Sequence, residues 1–155
     1  GSNLRMTEIQ AAIGIIQLNK LDKTLRLRNK INKLIWKKLK QYRSVIIPDL
    51  SENLELAPYR CYIKLNFNYI KKKYNLKKII KLLNRDQIIC NEGSCSEMYL
   101  EKSFKNIGLS PSKRLPNASK LSKISLAFFI NPLIKKSELN KKINHISAVF
   151  NSISN

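Results

Sequence analysis

The most informative stretch of this chain lies near its start and reads NLRMTEIQAAIGIIQLNKLD, residues 3–22. Within it, Thr7 is followed three residues later by Gln10, the pattern of a capping box in which each side chain accepts a hydrogen bond from the other residue's backbone N–H. A helix is therefore predicted to begin near Thr7. Isoleucines recur behind it at helical spacing with small residues between them, so we expect this helix to be packed on more than one side.

Two polar residues, Asn3 and Arg5, precede this helix in a short loop. Because the N-terminus of a helix carries partial positive charge, their side chains and the neighbouring amides suit an anion. The same residues also suit an ordinary helix start without a ligand. Their pattern alone leaves both interpretations open.

The net charge of the chain is its most unusual bulk property. Its 155 residues, enough for one folded unit with a core, include 30 Lys and Arg against 10 Asp and Glu, a formal charge of +20. Such a charge normally indicates a polyanionic partner. The lysines accompany an excess of Ile and Asn, as in AT-rich coding sequences, and the sequence has no RRM, KH or zinc-finger motif. Nucleic acid is therefore not the favoured partner.

Cysteine and histidine usage excludes several kinds of site. Cys61, Cys90 and Cys95 form no CxxC pair, and His145 is the single histidine. This pattern predicts neither a disulfide framework nor a metal site and is typical of a reduced, cytoplasmic protein. No apolar run approaches the roughly 18 residues that a membrane helix needs, and no secretory signal is recognised.

Hydrophobic periodicity predicts the order helix, helix, strand, helix, strand, loop, strand and helix. The second helix carries an apolar stripe: Leu27, Ile31, Leu34, Ile35, Leu39 and Tyr42. Later elements are predicted as strands at 61–67, 88–90 and 125–130, a helix at 76–83, a loop at 107–117 and a last helix capped by Ser137. The fold class is therefore α+β, a small sheet covered by helices.

Candidate chemistry is sparse. Cys95 lies in the turn sequence GSCSE, residues 93–97, which superficially suggests a nucleophile. A nucleophilic thiolate needs a base, and His145 lies far away in a predicted helix, so we interpret Cys95 as structural or incidental and His145 as a helix-surface residue. Three nearby carboxylates are interpreted as helix caps and partners of lysines: Glu92, Glu97 and Glu101.

Residues 1–22 resemble the segment where the large domain passes into the small domain in the DegT/DnrJ/EryC1/StrS family of sugar aminotransferases. Three later segments resemble the family in the same order. They are its first small-domain strand at 58–65 (PYRCYIKL), a segment found in part of the family at 93–104, and the late Leu-Pro-x-Ala loop and final strand at 114–118 and 125–126. The resemblance covers essentially the whole chain.

The resemblance implies the fold-type I aminotransferase architecture. Residues 1–20 would be the end of the large domain and a long helical interdomain segment, and residues 21–155 the C-terminal small domain. It also implies a full-length parent that uses pyridoxal phosphate and works as a homodimer with active sites at the subunit interface. The parent would transfer an amino group, usually from glutamate, to a nucleotide-linked keto-sugar in polysaccharide or glycan biosynthesis.

The resemblance also assigns site residues. In the family, the Asn of an Asn-x-Arg motif reaches the cofactor phosphate of the neighbouring subunit, and this Asn maps onto Asn3. Arg5 either adds positive charge there or braces the interdomain turn. The lysine that binds the cofactor covalently and the acidic partner of its pyridine nitrogen lie in the family's large domain, upstream of this segment. We therefore expect no catalytic residue in this chain and no transaminase activity from it alone.

Two alternatives remain at this stage. One is a stand-alone basic binding module for nucleic acid or another polyanion, and the other is a pseudoenzyme whose large domain has lost the lysine. Without a partner domain, the first helix is expected to expose apolar side chains and to promote self-association.

Overall fold

The computed structural model describes residues 5–50, 54, 56–85, 88–94 and 97–155. Its helices are α1 Glu8–Asn19, α2 Leu21–Leu39, α3 Leu76–Leu83, α4 Lys102–Asn106, α5 Pro116–Ile124 and α6 Lys136–Ile153. Its strands are β1 Val45–Ile46, β2 Arg60–Leu65, β3 Cys90–Glu92 and β4 Ser125–Phe129. Short 3-10 turns follow β2 at Phe67–Tyr69 and β3 at Met98–Leu100. The predicted α+β class is confirmed.

The described strands form one antiparallel sheet in the order β1-β2-β4-β3. The central pair is β2 and β4, whose paired residues run from Arg60 opposite Phe129 to Lys64 opposite Ser125. Alternate residues of β2 are buried, as the alternation in the sequence predicted. They join side chains of α2, α3 and α6 in one hydrophobic cluster, so these three helices cover one face of the sheet.

The opposite face of the sheet is covered more thinly, by α5. Leu121 of α5 lines a shallow pocket together with Tyr62 and Lys64 of β2. Ala127 of β4 is buried although it lies outside the main cluster, because β4 buries three successive residues and is therefore covered on both faces. Ser94, which follows β3, lines the same pocket at this second face.

The start of α1 follows the predicted capping box. Thr7 Oγ1 accepts a hydrogen bond from the Gln10 N–H at 3.3 Å, and Gln10 Oε1 accepts one from the Thr7 N–H at 3.0 Å. Lys20 alone separates α1 from α2, and its backbone angles stay in the right-handed helical region. The two helices therefore form a nearly continuous helical segment.

The packing predicted for α1 is wrong for this chain. The structure records no buried residue in α1, and Ile9 and Leu18 are 75% and 68% exposed. The isoleucines were expected to pack on more than one side, but the described part of the chain supplies no element to cover them. The expectation that this helix exposes an apolar surface is confirmed.

Several element boundaries also differ from the predictions. β1 has two residues, too few for a periodicity to reveal it. Part of the predicted loop at 107–117 is the first turn of α5, where Pro116 takes the first helical position, which proline's fixed φ suits. Of the apolar run predicted as a strand at 88–90, only the last residue, Cys90, belongs to β3. Ser137 lies inside α6, since the helix starts at Lys136 and no side chain caps it.

Across the described residues, no helix combines the length and the hydropathy that crossing a bilayer requires.

We expect Gly93→Ala to destabilise the fold. Gly93 follows β3 and its N–H donates to the Ser125 carbonyl at 2.9 Å. An added Cβ would lie 2.4 Å from the Ser125 Cβ, and neither atom can move without its backbone, so the free energy of unfolding should fall by about 1–3 kcal/mol. Urea denaturation measures this.

Gly14→Ala is the matched control, because nothing lies within 4 Å of a Cβ added there. It should not lower the free energy of unfolding, and the higher helix propensity of alanine should raise it by up to about 1 kcal/mol. An equal loss in the free energy of unfolding in the two variants would show that the close approach of Gly93 to Ser125 does not limit stability.

Candidate functional site

At the polar start of the chain, the first residue that the structure describes is a cation, Arg5. Arg5 is exposed and stands two residues before the capping residue Thr7. The Gln10 N–H is already bonded to Thr7, and Glu8 adds negative charge to the first turn, so the helix end by itself is a poor anion site. The second predicted residue of this site, Asn3, lies outside the described residues.

The residues at the chain start fit the phosphate of pyridoxal phosphate rather than its ring. A guanidinium at Arg5 and a primary amide at Asn3 both donate N–H groups, the chemistry that a phosphate accepts. All lysines of the chain lie in its described part, and none is buried: each is exposed except Lys64 and Lys142, which are half-buried. A lysine suited to bind a cofactor covalently is desolvated or lies beside another cation in a closed site. The described lysines do not show that environment.

A second polar group gathers around Glu97, at the end of the segment that follows β3. The Glu97 carboxylate accepts two hydrogen bonds from Arg114, from Nε and Nη2, both at 2.6 Å. It also accepts from the Tyr99 hydroxyl at 2.8 Å and from Ser122 Oγ at 3.2 Å. The Tyr99 hydroxyl in turn accepts from the Leu115 N–H at 3.0 Å. This network ties the segment after β3 to the start of α5.

The electrostatics of Glu97 suit a fixed structural anion. The bidentate Arg114 guanidinium lowers the pKa of Glu97 to about 2, assisted by the hydroxyls of Tyr99 and Ser122. The side chain of Glu97 is 11% exposed and that of Arg114 57%. A carboxyl group that stays ionised and engaged on both oxygens is a poor general acid or base. Glu97 was expected to pair with a lysine; its partner is an arginine.

A chain of hydroxyls holds the other end of the same segment. The Tyr62 hydroxyl lies 2.8 Å from Ser94 Oγ and 3.3 Å from the Tyr59 hydroxyl. The Arg60 guanidinium lies 5.4 Å from the centre of the Tyr59 ring. Residues 93–97 are thus anchored at Gly93 and Ser94 on one side and at Glu97 on the other. Sequence reasoning missed these anchors because their partners are distant in the chain.

Of the candidate nucleophile and its candidate base, the structure describes only the base. Cys95 lies outside the described residues. His145 is half-buried in α6, and its Nε2 lies 3.1 Å from the Leu82 carbonyl oxygen of α3, so it is less exposed than the helix-surface interpretation required. Within the described ranges, no group of three or more His, Cys, Asp or Glu side chains is placed to hold a metal ion.

The two described thiols are buried and unreactive. Cys61 and Cys90 are free cysteines on β2 and β3, and both are fully buried. Burial raises the pKa of Cys61 far above its usual range and raises that of Cys90 to about 12. Because the thiolate is the reactive form, both side chains act as small core residues.

Comparison with known proteins identifies relatives of this chain. The profile of the DegT/DnrJ/EryC1/StrS aminotransferase family matches residues 1–147. The structure is similar to the X-ray structure of the aminotransferase from Psychrobacter cryohalolentis, with a TM-score of 0.86 and 33% identity over 99% of this chain and 41% of that one. A search of the curated proteins found no match.

Two more distant structures show the same fold. A DegT/DnrJ/EryC1/StrS aminotransferase from Brucella abortus has a TM-score of 0.73 and 21% identity, over 93% of this chain and 36% of that one. Helicobacter pylori PseC, described as an aminotransferase involved in the biosynthesis of pseudoaminic acid, has a TM-score of 0.78 and 18% identity, over 99% of this chain and 40% of that one. The chain therefore spans about two fifths of the length of these structures.

The depressed pKa of Glu97 predicts a specific pH dependence of stability. The unfolded pKa of a glutamate is about 4.3 and the folded value is about 2. The stabilisation from the ionised group is therefore full above about pH 5 and is lost as the pH falls towards 2. Glu97→Gln should lower the free energy of unfolding at pH 7. The gap in that free energy between the variant and the wild type should narrow as the pH falls from 5 to 2.5.

Urea denaturation at a series of pH values measures this difference. Glu92→Gln is the control, since it removes the same charge from an exposed side chain of β3 that has no described ion pair. The Glu92 variant should show no such narrowing. Parallel stability curves for wild type and Glu97→Gln would contradict the assignment.

Proposed function

Because the chain belongs to the DegT/DnrJ/EryC1/StrS aminotransferase family, we propose that it is the C-terminal part of a pyridoxal-phosphate-dependent sugar aminotransferase. The parent would transfer an amino group, with glutamate as the donor, to a nucleotide-linked keto-sugar used in polysaccharide or glycan biosynthesis. The observation that carries this proposal is the family match over residues 1–147, supported by 33% identity to a solved aminotransferase over 99% of the chain.

The division of labour follows from the residues in hand. Pyridoxal phosphate, when bound, supplies the electron-withdrawing ring that amino transfer requires. This chain would contribute N–H donors to the phosphate from Asn3 and Arg5, which precede α1 in the sequence. The covalent attachment of the cofactor is assigned to a lysine of the large domain.

A homodimer is the second part of the proposal. The exposed apolar side chains of α1 would be covered by a large domain and by the neighbouring subunit. Asn3 would then donate to the phosphate bound in that neighbouring subunit, so each active site would need both chains.

We expect the 155-residue chain alone to show no amino transfer with pyridoxal phosphate, glutamate and a nucleotide keto-sugar, because it offers no desolvated lysine. The source DNA upstream of the Gly1 codon should continue in frame for about two hundred residues and include the family's cofactor-binding lysine. The whole protein should then be active. Activity of the 155-residue chain would overturn this assignment, and a start codon directly ahead of Gly1 would favour the stand-alone binding module.

Asn3→Ala in the whole protein should weaken pyridoxal phosphate binding by about ten- to a hundredfold, the loss of one charge-assisted hydrogen bond. Titration followed by cofactor absorbance measures this. Lys20→Ala, which removes an exposed side chain at the far end of α1, is the control and should bind normally. Arg5→Ala should behave like Asn3→Ala if Arg5 adds charge at the phosphate, and should lower only thermal stability if it braces the turn.

Subunit mixing tests the placement of Asn3 in the neighbouring active site. A variant without the cofactor-binding lysine and the Asn3→Ala variant would be mixed in equal amounts, at a pyridoxal phosphate concentration that fills the wild-type site and leaves the weaker Asn3→Ala site empty, so that each variant is inactive alone. If Asn3 acts across the interface, half of the dimers are mixed and each holds one native site, so about a quarter of wild-type activity returns. If Asn3 acts within its own subunit, no native site forms and activity stays absent.

A further inference from the structure

We draw no further inference here: the strongest candidate, the open pocket of about 290 Å³ between β2 and α5 that is lined by Tyr62, Lys64 and Leu121, carries nothing, because the structure does not show what covers it in a chain that spans about two fifths of the length of its relatives.

Discussion

The antiparallel pairing of β2 with β4 is the constraint on which the rest of the structure depends. These strands are far apart in the chain, yet they form the centre of the sheet with a register fixed from Arg60 opposite Phe129 to Lys64 opposite Ser125. A shift of one residue would turn Cys61, Ile63 and Leu65 away from the helices and expose them. Because β3 pairs with β4, the same register also fixes where the segment after β3 leaves the sheet.

That position explains the contacts that hold Gly93, Ser94 and Glu97. Gly93 closes against Ser125 at the start of β4, and the close approach of the two residues leaves no room for a side chain. Tyr62 holds Ser94 from the neighbouring strand, while Arg114 and Ser122 hold Glu97 from the side of α5. These three residues are therefore supported by three elements that the central strand pair brings together.

The sequence predicted the parts of the fold that have a local signature. The capping box at Thr7, the alternation in β2 and the apolar face of α6 each depend on neighbouring residues, and the structure contains all three. It did not predict β1, whose two residues are paired only through β2, or the pairing of Glu97 with Arg114, which depends on tertiary contact. The assignment of Asn3 and Arg5 rests on family resemblance, because a short polar loop before a helix has many uses.

The lysines of the chain show why periodicity alone does not define a binding surface. In a lysine-rich chain every amphipathic helix carries rows of cations on its solvent side, and α3 presents Lys77 and Lys81 as α2 presents Lys33 and Lys37. A row of exposed cations attracts any polyanion weakly, and salt screens it over about 8 Å.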